Sequence, residues 1–201
     1  LLIITITLTV LIILLYASSR SILLQSFVLL ENDDVYLNTE RGLQAVSNEI
    51  AAMTTTAQYW ATRRDSAAFV HDADPAYIET YLDDSTFIAN NLNIVVFADT
   101  SGQIVYEQNF DLAIGQKIIT ATGIAQHIQP GRPLLDPSDD SNGVGGILLL
   151  PAGPALVVAV PVAAEDQAPA RGVLILGRYL DQNELRRIAG ATQLLLSLHY
   201  F

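Results

Sequence analysis

The first nineteen residues, LLIITITLTVLIILLYASS, carry no charge, and Arg20 is the first charged position. At ~1.5 Å per residue such a helix is roughly 28 Å long, close to the ~30 Å hydrocarbon core of a bilayer. The pattern predicts a transmembrane helix over residues 1–19. A buried core helix or the apolar part of a signal peptide is the alternative, but no convincing small-residue cleavage signal accompanies it. From Ser21 to Arg64 there is no proline and one glycine, Gly42. Apolar residues recur every seven positions at Ile22, Leu29, Tyr36, Leu43 and Ile50. The positions three further on, Gln25, Asn32, Thr39, Val46 and Met53, are polar first and apolar later. This predicts an extended helix over residues 20–64, with a narrow seam that widens into a packed face. Its expected role is a parallel homodimer contact near the membrane, with packing on the chain's own sheet beyond about Leu43.

Residues 65–201 read as a separate domain. HDADP ends the helical pattern after Val70, and Pro75 starts a second helix through Tyr77, Leu82 and Ile88. Two β-rich runs, Ile94–Ala98 and Ile104–Gln108, flank Ser101-Gly102 and predict a hairpin. Gly115 to Gln129 has helical spacing, and QPGRPLLDPSDDSNGVGG is a loop. Strands are predicted at Gly146–Leu150, Leu156–Val162 and Gly172–Tyr179. A short helix follows, capped by Asp181 and stopped by Gly190. TQLLLSLHY is a last strand or the approach to another membrane segment. The order predicts an α+β fold: an antiparallel sheet with flanking helices behind a long N-terminal helix.

Composition narrows the function. The chain is 51% hydrophobic with a formal net charge of −11, which argues against a nucleic-acid partner. There is no cysteine, so disulfide and thiolate chemistry are absent, and three scattered histidines (His71, His127, His199) disfavour a metal site or a catalytic triad. No nucleophile–base pair and no paired catalytic carboxylates stand out. The expectation is therefore a non-enzymatic chain without a cofactor.

The densest chemistry lies in YWATRRDSAAFV, Tyr59 to Val70. On a continuous helix Arg63 would lie over Tyr59 and Arg64 over Trp60, each four residues back. Either these are surface cation–π pairs, or Trp60, one of the two arginines and Asp65 form the wall of a ligand site. The second arrangement suits a small ligand carrying a carboxylate, an amino acid or an organic acid. Tyr77, Tyr81 and Tyr106 are further candidate lining residues, while Phe97 reads as core. Arg178, at the end of a predicted central strand, either faces the pocket or packs on the last helix. DPSDDSNG spaces Ser138, Asp140 and Asn142 like a calcium loop, but Leu149 stands where the closing glutamate belongs, so a solvated acidic loop is the better reading.

Several stretches together resemble the fourth subtype of CHASE domains, extracellular sensory domains associated with cyclases and histidine kinases in the PAS-like Cache superfamily. LLEND with Glu31, then Arg41, resembles the family's start. Trp60, Ala61, Asp65, Phe69 and Val70 match its central pattern, with Ser66 a mild change. AYIETYL, LNIVVFADTSGQIVY, PVAAEDQAPARGVLILGRYLD and ELRRIAG follow in the family's order, so the resemblance covers roughly Leu30 to Leu198. Tyr59, Arg63, Arg64, Ala67 and Tyr81 depart from that pattern. The resemblance implies a single Cache-like fold and an extracytoplasmic sensor of a cell-membrane receptor, such as a histidine kinase or a diguanylate cyclase or phosphodiesterase. In such a receptor, ligand binding would shift the long helix. The alternative is a membrane-anchored protein-interaction module with no small ligand.

Overall fold

The structure, a computed structural model, describes Leu11, Tyr16 and residues 40–135, 143–163 and 169–192. Among these residues no helix is long and apolar enough to cross a membrane. The expected span over residues 1–19 lies outside them, apart from Leu11 and Tyr16. Ile22, Leu29 and Tyr36, the acidic loop at 136–142 and the segment 193–201 also lie outside the described residues.

The chain divides into two compact units at residues 44 and 45. The first helix, α1, runs over residues 40–61. From Ala45 onward its inner face packs into the second unit, with Met53, Ala57 and Ala61 fully buried and Val46, Ile50 and Trp60 partly so. That burial is why this part of the helix belongs to the sensor domain instead of preceding it.

Three short helices follow: α2 (Arg64–Asp72), α3 (Pro75–Tyr81) and α4 (Asp84–Ala89). The single helix expected after Pro75 is thus two, broken at Leu82–Asp83. Each piece starts on an aspartate cap: Asp74 accepts from the Ala76 N–H at 2.9 Å, and Asp83 from the Thr86 N–H at 3.0 Å.

Six strands, β1 (Ile94–Asp99), β2 (Ile104–Asp111), β3 (Gln116–Ile118), β4 (Val144–Leu150), β5 (Gly153–Val162) and β6 (Gly172–Tyr179), make one sheet in the order β3-β2-β1-β6-β5-β4, antiparallel throughout. The hairpin at Ser101-Gly102 is present, with Asp99 accepting from the Ser101 and Gln103 N–H groups. Alternate residues face opposite layers. Val95, Phe97, Leu156, Val158, Leu174 and Leu176 pack toward α1–α4. Ile94, Val96, Val157, Ala159 and Ile175 pack under Ile124 and Ile128 on the other face.

The helix expected over Gly115–Gln129 is absent. β3 pairs Ile118 with Asn109, and only one 3₁₀ turn, Ile124–Gln126, follows. Gly123 enters that turn at φ +82°, a conformation that interrupts any helix through the segment. The last helix, α5 (Gln182–Thr192), is capped by Asp181 as expected but runs past Gly190.

Strands β1 and β6 meet most tightly at Gly172. A Cβ there would collide with the Ala98 carbonyl oxygen and with Val70. Gly172→Ala is expected to lower the unfolding free energy by about 1–3 kcal/mol in chemical denaturation, the usual size of an overpacking effect.

Candidate functional site

The site begins where the long helix breaks. Thr62 turns the chain, and Arg63 takes an extended conformation (φ −77°, ψ 138°) before α2 starts at Arg64. The hydroxyls of Thr54, Thr55, Thr56 and Thr62 bond back to carbonyls four residues earlier, a habit that weakens a helix. The Trp60 carbonyl accepts from the Arg63 N–H at 3.3 Å and from Ser66 Oγ at 2.6 Å. Ser66 is fully buried and has one proton, so its 2.7 Å contact with Tyr77 must be donated by the tyrosine. The break is thereby fastened to α3.

This geometry corrects the cation–π expectation for Arg63. Side chains four apart meet only on a continuous helix. Arg63 lies 4.0 Å from the Tyr81 ring centroid, and Tyr59 stands 69% exposed. Phe69 and Tyr77 stack at 4.4 Å, Tyr77 and Tyr81 lie 5.0 Å apart, and Phe97 closes the group from β1 at 5.2 Å from Phe69.

Trp60, Arg63, Tyr77 and Tyr81 come together around a cavity of 180 Å³, with Thr80, Thr86 and Asn90 completing its wall. An adjoining cleft of 280 Å³ shares Tyr77, Thr80 and Tyr81 and adds Asp65, Phe69, Asp72 and Asp74. Asp65 accepts from the Tyr81 hydroxyl at 3.1 Å and pairs with Arg63 at 3.5 Å; both charges are solvated, so the pair contributes little. Burial pushes the Tyr77 hydroxyl up, partly offset by its bond to Ser66, so it remains a protonated phenol. Arg64 is exposed and lines neither cavity. Tyr106 also lines neither. Its ring lies 6.0 Å from Phe69, and its buried hydroxyl has no hydrogen-bond partner among the described residues. Burial, with the negative charge of Asp84 adding to it, pushes that hydroxyl up to about 12.

Arg178 is placed elsewhere, and the packing alternative is the one observed. Its guanidinium donates to Glu49 on α1 at 2.7 Å and to Glu184 on α5 at 3.0 Å. It also donates to the carbonyls of Asn91 at 2.6 Å and Asn90 at 3.1 Å. Arg187 joins both carboxylates, at 2.6 Å and 2.8 Å. These groups line a larger cleft of 540 Å³. On its wall the charges of Arg178, Arg187, Glu49 and Glu184 are paired with one another. Glu49 escaped the sequence reading because a pairing across 129 residues leaves no local trace, and Glu184, six residues from Arg178, because the two lie on different elements. Among the described residues no group of three or more His, Asp or Glu side chains is placed to hold a metal ion.

The CHASE4 domain family matches residues 45–199, more than half of the chain. Among curated proteins, the methanogenesis regulatory histidine kinase FilI of Methanothrix harundinacea is 26% identical over 153 residues, 76% of this chain. The chain spans only 17% of that protein's length. Two solved structures share the fold at 15% identity, each matching 75% of this chain. One is a domain from Vibrio parahaemolyticus assigned to the sensory box/GGDEF family, with TM-score 0.53 over 60% of its own chain. The other is the extracellular domain assigned to the histidine kinase vpHK1S-Z8, with TM-score 0.55 over 57% of its chain.

Two measurements test the Arg178 cluster. Arg178→Gln leaves two carboxylates without their central partner and is expected to destabilise the domain by about 3–5 kcal/mol in chemical denaturation. Burial alone would raise the Glu184 carboxyl, but the Arg187 hydrogen bond and the Arg178 charge outweigh it and hold it below its ordinary value of 4.5. A lowered folded-state value means that this stabilisation is present above that pH and is lost as pH falls through the lowered value. Stability measured by denaturation is expected to drop on acidification below about pH 4.5, and Glu184→Gln to flatten that drop.

The family match, carried by residues that build the sheet, the helix break and the aromatic cavity together, places this chain in the CHASE4 family of sensory domains.

Proposed function

We propose that this chain is the extracytoplasmic, ligand-binding part of a cell-membrane receptor whose output is a histidine kinase or a diguanylate cyclase or phosphodiesterase. The observation that carries this reading is the position of Trp60 and Arg63. They flank the break between α1 and α2 and line the same cavity as Tyr77 and Tyr81 of α3. A small amino acid or organic acid held there touches the end of the long helix directly. If it binds one packing of the α1–α2 break more tightly than another, it shifts the helix, and residues 20–44 carry the shift toward a membrane span at residues 1–19. A homodimer through the N-terminal helix gives that movement a partner to act against. The names of the relatives support this reading, since they include a regulatory histidine kinase and an extracellular histidine-kinase domain.

The second reading, a membrane-anchored interaction module, is favoured by β4, an edge strand that exposes Ile147 and Leu149 at 56% and 70%. Two variants separate the readings. Trp60→Ala is expected to abolish ligand-induced thermal stabilisation while the ligand-free domain still melts cooperatively. No ligand-induced stabilisation of the unsubstituted domain, together with loss of protein partners on Ile147→Lys, supports the interaction module instead.

A further inference from the structure

Four hydroxyls belong to the wall of the Trp60 cavity, and the proton of each is committed within the protein. Tyr77 donates to Ser66 Oγ at 2.7 Å, because the Ser66 proton goes to the Trp60 carbonyl at 2.6 Å. Tyr81 donates to Asp65 Oδ2 at 3.1 Å. Thr80 donates to the Ala76 carbonyl, and Thr86 to Asp83 Oδ1, each at 2.7 Å. A hydroxyl has one proton and two lone pairs, so toward a ligand these four oxygens act as acceptors. Asp65, in the adjoining cleft, is another acceptor. The donors left on the wall are the Arg63 guanidinium, the Trp60 indole N–H and the amide of Asn90, which already gives a proton to the Thr86 carbonyl at 2.8 Å. Acceptors gather on α3 and α4, while the charged donor stands at the helix break.

Resting on the reading of this cavity as the ligand site, we propose that its ligand is a small zwitterion recognised through a protonated primary amine. The amine brings three donors and no acceptor, the complement of the α3–α4 oxygens. The carboxylate of the same molecule faces Arg63 and Trp60, where charge-assisted donors are available. A dicarboxylate would set its second anionic group against lone pairs and leave it without a donor. The neighbouring carboxylates of Asp72 and Asp74 and the net charge of −11 draw a cationic group toward the cleft. A volume of 180 Å³ restricts the ligand to a compact one, since cavities for drug-sized molecules begin near ~300 Å³.

The test is a melting and calorimetric titration of the full chain in detergent micelles. The probes are the common amino acids, β-alanine and 4-aminobutyrate, each set against its deaminated counterpart (propionate, butyrate and so on) and against succinate. At least one amine is expected to raise Tm and to bind at least tenfold more tightly than its deaminated counterpart. Tyr77→Phe, which keeps the ring and removes the oxygen, is expected to weaken that amine by about tenfold to a hundredfold, the value of a hydrogen bond to a charged group. Ser66→Ala frees the Tyr77 proton and is expected to narrow the preference for the amine. Equal binding of succinate or a deaminated probe, abolished by Trp60→Ala, overturns the amine assignment and leaves the cavity reading standing. Amine binding insensitive to both Trp60→Ala and Tyr77→Phe overturns the cavity reading and this proposal with it. A panel in which no amine raises Tm overturns the proposal.

Discussion

The hydroxyl of Ser66 holds together two parts of the molecule that local structure leaves separate. An α-helix cannot pass through Arg63 in its extended conformation, so the Trp60 carbonyl keeps a 3.3 Å bond from the Arg63 N–H but loses the α-helical partner it would otherwise have. Ser66 supplies one from the first turn of α2 and takes the Tyr77 proton in return. A buried hydroxyl without partners would be costly; here it makes two bonds and fixes the direction of both. The stack of Tyr77 on Phe69, the place of Tyr81 beside it and the seat of Arg63 over Tyr81 all follow from that junction.

The Arg178 cleft and the Trp60 cavity differ in how their walls are held. Around Arg178, α1, α5 and β6 are joined by charged groups that are mutually satisfied, an arrangement that tolerates little displacement because each member leaves another unpaired. Around Trp60 the contacts are aromatic faces, a solvated ion pair and hydroxyls with spare lone pairs. The first kind of contact sets a fixed frame; the second leaves room for a small molecule. Asn90 belongs to both, lining both cavities while its carbonyl accepts from Arg178. A sensor needs this combination, since a ligand can bias a helix only where its packing has an alternative.

Much of the fold was legible because its signals are local. Turn residues bracket each long strand, and β1 and β6 read as apolar runs because both their faces are covered. The Gly115–Gln129 segment misled because its apolar spacing fits a helix, while the edge of β2 offers Ile118 a strand partner that spacing cannot reveal. Of the site, Trp60, Tyr77 and Tyr81 could be proposed from residue type, but the geometry of Arg63 depended on a break with no proline or glycine to announce it. Ser66 looked like a minor change and turned out to hold the junction. Arg178 could be read either as facing a pocket or as packing on the last helix, because its partners, Glu49 and Glu184, are distant in sequence or on another element.

The central claim is that the Ser66–Tyr77 bond couples the end of α1 to α3. A double-mutant cycle of Ser66→Ala and Tyr77→Phe, read as unfolding free energy, measures that coupling alone. The account expects the two changes to be non-additive by about 1 kcal/mol or more, since either one removes the same buried hydrogen bond. Strict additivity, with each variant folded, would contradict it.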